Sequence, residues 1–338
     1  MKRLLIFVFI CSAFFSCIDV EEKSDDRIGN FETLWNMIDQ RYCFFDYKAK
    51  EYGLDWNEVY SRYRPRVDSV KNTVELFNLF DNMLDELRDG HVNITSYFNV
   101  GRYWDWKEKY PTNFSDTLQR KYLGTNYFMA GSLKYVVFLP DTIGYVSCSS
   151  FSSSFSDNNL TYMLALLQGA KGLIIDVRSN GGGLLTLSEK LAARFTEEKI
   201  LTGYIRHKTG TGHNDFSDYE PTYLTPFNGI RWTAPVVVLV NRGVFSAAND
   251  FVNMMKCCPN VTIVGDKTGG GSGLPFTSEL PNGWAVRFSA CPSYDRNKKD
   301  IEFGIEPDYY VSLTDSAFAK GHDDIIDFAI KFLSTNEK

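Results

Sequence analysis

Positive charge is what this chain has least to spare: 36 Lys and Arg stand against 42 Asp and Glu, a net charge of −6. It has no basic stripe to neutralise phosphates, which argues against nucleic acid as a partner. Beyond the N-terminus no run is apolar for the ~18 or more residues that a membrane span needs. There is no repeat of fixed period and no long low-complexity tract. Seven cysteines occur at irregular spacing. Cys11 and Cys17 belong to the N-terminal segment. The other five, Cys43, Cys148, Cys257, Cys258 and Cys291, announce neither a disulfide framework nor a zinc site. Glycine runs follow strands, but no Lys-Ser/Thr continues them as in a P-loop, and no Gly-x-Gly-x-x-Gly fingerprint occurs, which argues against nucleotide binding. A Gly-x-Ser-x-Gly elbow is missing too. Val244 and Ala248 flank Ser246 where that motif would need glycine, so a lipase-like reading is weak.

What is present begins with an export signal. Met1-Lys2-Arg3 supplies positive charge, and residues 4–15 form an almost unbroken apolar run. The run ends at Phe14-Phe15-Ser16-Cys17, which resembles a bacterial lipobox, with Cys17 as the lipidated first residue of the mature protein. Asp19, Glu21, Glu22, Asp25 and Asp26 follow, an acidic patch that resembles the surface-export signal of Bacteroidetes lipoproteins. Residues 1–16 are expected to be a signal peptide and 17–29 an acidic tether. The expected location is outside the cytoplasm, lipid-anchored to the bacterial outer membrane and facing the periplasm or the surface.

The length suits about two domains with a sizeable core. Residues 30–95 read as a small helical domain. Phe31, Leu34, Trp35 and Ile38 keep the spacing of an amphipathic helix, Asp55 is a good N-cap for a second, and 73–88 forms a third. Asp89-Gly90 breaks that helix and delivers His91 before a short strand. Residues 96–140, with Trp104, Trp106, Tyr110, Tyr122, Tyr127 and Phe128 among turn residues, read as a β-rich linker or a lid. From 141 to 338 strands and helices alternate, which argues for an α/β core. Apolar strands are expected at 172–177, 236–240 and 261–265. Glycine-rich loops follow at 181–183 and 269–271.

The stretch around Ser246 draws attention first. The apolar run 236–240 turns at Asn241-Arg242-Gly243, and a helix carrying Phe251, Val252 and Met255 follows Ser246. A serine at a strand-to-helix turn sits where backbone N–H groups and the helix dipole favour developing negative charge. That is a place for a nucleophilic hydroxyl, or simply for an N-cap.

Four segments call for one explanation: Leu87-Arg88-Asp89-Gly90-His91, Asp176-Val177-Arg178-Ser179-Asn180-Gly181-Gly182-Gly183, Gly243-Val244-Phe245-Ser246, and Gly265-Asp266-Lys267-Thr268-Gly269-Gly270-Gly271, with Gly304-Ile305-Glu306-Pro307-Asp308 after them. Together, and in this order, they resemble the tail-specific proteases, the S41 serine peptidases. The resemblance implies a crotonase-like (ClpP-like) core and a serine-type peptidase acting on proteins or oligopeptides in the cell envelope, with neither metal nor cofactor. The family's processing proteases use a Ser–Lys dyad. Their lysine position falls here on Gly271, and Lys267 comes before the glycine run. The tricorn-like branch instead uses Ser, His and Glu, and Asp-Gly-His91 matches its histidine. That assigns Ser246 as nucleophile, His91 as base and Glu302 as the acid that orients it, with Glu306 as alternative acid and Asp300 a further candidate. The family's oxyanion donors fall on the backbone of Ala247 and Gly182, or Gly183. The stretch 271–275 is expected to border the substrate groove. No PDZ module is evident between His91 and residue 143. The rival expectation is a non-catalytic peptide- or glycan-binding lipoprotein on a peptidase scaffold.

Overall fold

A computed structural model describes residues 24–140 and 142–335. The expected signal peptide and most of the acidic tether lie outside the described residues. Four helices come first: α1 (Arg27–Arg41), α2 (Phe45–Tyr52), α3 (Trp56–Val67) and α4 (Thr73–Asp85). Short side chains cap three of them. Asp26 accepts from the Gly29 N–H, Asp55 from Asn57 and Glu58, and Asn72 from Glu75, satisfying donors that a helix start leaves open. Their apolar faces meet in a core of Phe31, Leu34, Ile38, Trp56, Phe77 and Phe80.

After α4 come β1 (Asn93–Thr95), β2 (Val100–Arg102), α5 (Asp105–Glu108), α6 (Asp116–Leu123), β3 (Phe128–Ala130), β4 (Leu133–Phe138), β5 (Ile143–Ser147), α7 (Asp157–Leu167), β6 (Gly172–Asp176) and α8 (Leu185–Ala192). Then follow β7 (Ile200–Ile205), β8 (Glu220–Leu224), β9 (Val236–Val240), α9 (Ala247–Met255), β10 (Val261–Gly265), β11 (Gly273–Glu279), β12 (Ala285–Asp295), β13 (Tyr309–Tyr310), α10 (Asp315–Lys320) and α11 (Asp324–Thr335).

The larger sheet has the order β13-β10-β9-β6-β5-β4-β3, parallel from β13 to β5 and antiparallel at β4 and β3. Every residue of β6 and β9 is buried, as expected of parallel strands covered on both faces. Val236, Val238 and Val240 point into the layer that holds Leu164, Leu191 and Phe251. Val237 and Leu239 point to the opposite layer with Ile325, Ala329 and Leu333 of α11. The period-2 alternation of a strand thus serves two cores at once. The hairpin β3–β4 is the edge of this sheet, so part of 96–140, expected to be linker or lid, belongs to the core.

The smaller sheet runs β2-β1-β12-β7-β8, with β11 on β12. It contains strands that the polar 200–235 stretch did not announce. β1 pairs antiparallel with β12, Ile94 opposite Val286, and Val286, Phe288 and Trp284 enter the helical core. The helical unit and the C-terminal third are thereby fused, and the residues just before β1 are held against the loops of the larger sheet. Those loops leave the carboxyl ends of β6, β9 and β10, the usual place for a site in such a sheet.

Under them lies a buried ionic frame. Arg178 is fully enclosed; it donates to both Asp176 oxygens at 3.0 and 2.7 Å and to both Asp323 oxygens at 3.1 and 2.9 Å. A planar guanidinium suits this two-sided arrangement. The Asp-x-Arg half of the glycine-loop motif is therefore scaffolding that sets where the loop begins.

Candidate active site

Ser246 lies between β9 and α9 with φ 57° and ψ −127°. A non-glycine residue at positive φ is costly and persists where its surroundings impose it. Here the Ser246 N–H donates to the Gly270 carbonyl at 2.9 Å, and its own carbonyl accepts from the Asp250 N–H at 3.0 Å. Although Ser246 occupies the N-cap position, its side chain caps nothing. Oγ instead lies 3.0 Å from His91 Nε2. The strained turn of a nucleophile elbow is thus present without the Gly-x-Ser-x-Gly motif. The close-approach glycine comes from another loop: a Cβ on Gly182 would stand 2.8 Å from Ser246 Cβ and 2.7 Å from the Phe245 carbonyl oxygen. Glycine is needed there because backbone meets backbone.

The Phe245 ring stacks on Trp106 with centroids 4.2 Å apart and meets the His91 imidazole at 4.7 Å. Cβ atoms on Gly90 or Gly271 would press into the same ring, at 2.9 and 2.5 Å. Trp106, from the aromatic stretch after His91, therefore backs the Phe245 ring that meets the imidazole.

His91 is 4% exposed. Its backbone N–H donates to Asp89 Oδ1 at 2.7 Å, while Nδ1 is buried with no hydrogen-bond partner among the described residues. Burial pushes the imidazole down to about 4; Asp89 opposes this, and Arg287, Arg102 and Lys48 reinforce it. The ring is therefore neutral at physiological pH and able to take a proton from Ser246.

Glu302, the expected orienting acid, is buried in the cluster that holds Asp89 and Lys48 but makes no bond to His91. Its Oε2 accepts from the Ser272 N–H at 2.8 Å, and its Oε1 is 3.4 Å from Lys48 Nζ. The direct contact with imidazole Nδ1 is absent. Asp89, quoted within the Asp-Gly-His motif but given no role, is the carboxylate bonded to the His91 backbone. Its Oδ2 also accepts from the Tyr42 and Ser289 hydroxyls, at 3.0 and 2.8 Å. Lys48, which nothing in the sequence singled out, is fully buried; it donates to the Arg88 carbonyl at 3.0 Å and lies 4.6 Å from the Phe303 ring centre. One lysine cannot neutralise two buried carboxyls, so their affinities for protons separate. Burial pushes Glu302 up to about 8, reinforced by Asp89 and opposed by Lys48 and the Ser272 N–H. Burial also works against Asp89, but Lys48, His91 and the hydrogen bonds outweigh it and hold that carboxyl below its usual range.

Glu306 is a correction. It pairs with Lys267 at 2.9 Å on the exposed side and accepts from the Tyr310 hydroxyl, so neither the alternative acid nor the alternative lysine reaches Ser246. Asp300 is pushed up to about 7, chiefly by burial, and has an unpartnered Oδ1; it makes no bond to His91. Gly182 also needs amendment. Its N–H donates to Asn180 Oδ1 at 2.9 Å, whereas among the described residues the Gly183 N–H, the other expected donor, has no acceptor. Ala247 is the first residue of α9, where an N–H has no intrahelical acceptor.

Glu302 carries a stability signature. Its folded-state affinity for a proton exceeds that of an unfolded glutamate, so the stability present at low pH is lost as pH rises through about 8. His91 has the opposite sense: its contribution is lost as pH falls from the unfolded value of about 6.5 through about 4. Between pH 6.5 and 8 the carboxyls set the slope, with Asp300 fading above about 7. Thermal melts of the wild type are expected to drop across this range, and those of Glu302→Gln to drop less. Equal slopes would place the raised group elsewhere.

Two clefts open beside Ser246. One, about 350 Å³, is lined by His91, Arg102, Ser150, Gly182 and Arg287. The other, about 290 Å³, is lined by Gly183, Leu184, Asp250, Leu274 and Ile301, together with the 271–275 stretch. Among the described residues no cluster of three or more His, Cys, Asp or Glu could hold a metal ion, and the five described cysteines are unpaired.

The family described as Peptidase family S41 matches residues 142–311, and the Tricorn protease C1 domain matches residues 24–85. Over 182 residues the chain is 29% identical to a carboxyl-terminal-processing protease of Synechocystis sp. (strain ATCC 27184 / PCC 6803 / Kazusa), which covers 53% of this chain and 40% of that protein. The match thus spans less than half of that curated relative. Among solved structures, a proposed peptidase from Parabacteroides merdae ATCC 43184 is 52% identical, with a TM-score of 0.88 over 92% of this chain and 97% of that one. Mature CPAF is 12% identical and shares the fold, with a TM-score of 0.72 over 92% and 98% of the two chains.

Proposed function

The chain belongs to peptidase family S41, and from that premise we propose that it is a serine-type endopeptidase or oligopeptidase working through Ser246 and His91. The observation that carries this reading is the 3.0 Å contact between Ser246 Oγ and His91 Nε2, made by a serine at positive φ that caps no helix. In the proposed reaction Oγ attacks a peptide carbonyl while Nε2 takes its proton. The Ala247 and Gly183 N–H groups receive the oxyanion. The imidazolium then protonates the leaving amine, and water, activated by the same base, releases the acyl group. The Asp89 carboxylate, held below its usual range, supplies the negative potential that favours the imidazolium. This takes over the role expected of Glu302 alone and makes the triad an electrostatic arrangement instead of a chain of bonds.

The strand-helix units around β5, β6, β9 and β10 are read as the crotonase-like core that the resemblance implies. The lipid anchor at Cys17 and an envelope location belong to the same proposal and rest on the N-terminal sequence. One observation favours a non-catalytic peptide- or glycan-binding protein: His91 Nδ1 has no acceptor among the described residues. A fluorophosphonate probe separates the two readings. Covalent labelling mapped to Ser246 and lost in Ser246→Ala is expected. No labelling of the folded protein would favour the binding reading.

A further inference from the structure

We propose that the enzyme cleaves after lysine or arginine, whose side chain enters the cleft lined by Leu184, Leu274 and Asp250 and meets the Asp250 carboxylate. This inference rests on the peptidase reading above. The two clefts can be assigned to the two sides of the scissile bond. The base that takes the Ser246 proton must return it to the leaving amine, so the leaving side faces His91. The cleft containing His91, Arg102 and Arg287 therefore receives the leaving side. The other contains Ala247 and the start of α9 but not His91, while Gly183 and Ser246 border both; it lies on the acyl side.

That acyl-side cleft has a particular chemistry. Leu184, Leu185, Leu274, Pro275 and Ile301 give it apolar walls, and Asp250 stands one helical turn beyond Ser246. Among the described residues the Asp250 carboxyl makes no hydrogen bond and no ion pair, and its charged neighbour is Glu189, of the same sign. Burial and Glu189 push it up to about 6, so at neutral pH it carries an uncompensated charge. Arg287 also borders this cleft, but it acts on His91 and is not among the influences felt at Asp250. An aliphatic stem ending in a cation matches such a site: the methylenes cover the apolar walls and the head meets the acid. A partly enclosed carboxylate with no partner disfavours an acidic side chain and gains little from a neutral one.

Peptidyl diphenyl phosphonates test this directly. Ser246 Oγ displaces one phenoxide at phosphorus, phenol departs with the serine proton, and the side chain next to phosphorus occupies the acyl-side cleft. With the full chain, a lysyl probe is expected to label Ser246 at least tenfold faster than a leucyl probe. Asp250→Asn should bring that ratio to within about threefold of unity. Asp250→Lys should turn the preference toward a glutamyl probe, a gain that loss of folding cannot mimic. A leucyl probe as fast as the lysyl one, or an unchanged ratio in Asp250→Asn, would overturn the inference. So would a protein labelled by fluorophosphonate but by neither peptidyl probe. Failure of the fluorophosphonate itself to label Ser246 would instead strike at the peptidase reading.

Discussion

Casein cleavage is expected to fall by about 10³-fold or more in both Ser246→Ala and His91→Ala, and to stay within about twofold of wild type in Lys267→Ala. The first two side chains share one hydrogen bond, so they act as a unit and their losses should not add. Ser246→Ala/His91→Ala is accordingly expected to be little worse than either single variant. Lys267 offers the sharper contrast. It is the nearest candidate for the lysine of a Ser–Lys dyad, yet its ammonium pairs with Glu306 at 2.9 Å. The pH profile separates the two mechanisms again. A neutral imidazole pushed down to about 4 by burial is ready as base throughout the neutral range. Activity limited by His91 should therefore hold its level as pH falls from 7 to 5, whereas a lysine base should lose activity well before that. Measuring initial rates for the wild type and the four variants between pH 5 and 9 suffices. A Lys267→Ala loss comparable to that of His91→Ala would mean a Ser–Lys enzyme in an unusual register.

Much of this site could be read from the chain before its fold was known, and the reasons are local. Strands β6 and β9 are continuous apolar runs, and the glycine loops after them mark where backbone must approach backbone. Ser246 stood out because a strand, a turn and an amphipathic helix enclose it. What could not be read is whatever depends on pairing across long separations. β1 and β12 lie nearly 200 residues apart in sequence, and their register decides that Asp89, Ser289 and Tyr42 share one hydrogen-bonding centre. Lys48 gave no signal because a lone lysine on a short helix ordinarily points to solvent. The acid was misjudged for a related reason. Register along the chain put Glu302 in the same buried cluster, but the carboxyl bonded to the His91 backbone is Asp89, two residues away, just after the Arg88 turn at φ 45°, while Glu302 is drawn to the Ser272 N–H. The missing Gly-x-Ser-x-Gly was a weak argument against an elbow, since Gly182 supplies from another loop the space that Val244 and Ala248 do not.

Lys48→Met is expected to cost about 3–5 kcal/mol of stability at pH 8, because it strands buried carboxyls without their cation. The side chain is fully enclosed, and methionine is close to it in shape, so packing alone should cost little. The sign of the pH dependence distinguishes charge from packing. Lys48 lowers the proton affinity of both Asp89 and Glu302. Without it the proton affinity of both carboxyls rises, and that of Glu302, already above its unfolded value, rises further. A raised carboxyl contributes no deficit below the unfolded value, about 4, and a growing one above it. The deficit of Lys48→Met should therefore be smaller at pH 5 than at pH 8, whereas a packing defect would be the same at both. Activity adds a second axis. Lys48 is one of the cations that depress His91, after burial and beside Arg287 and Arg102. Its removal should move the acid limb of kcat/KM toward neutral pH, while Arg88→Ala, which keeps the backbone carbonyl that Lys48 bonds, should leave that limb in place. Melts at the two pH values and one rate profile decide the matter: a deficit independent of pH with an unmoved acid limb would reduce Lys48 to a packing residue, and the electrostatic account of the base would then rest on Asp89 alone.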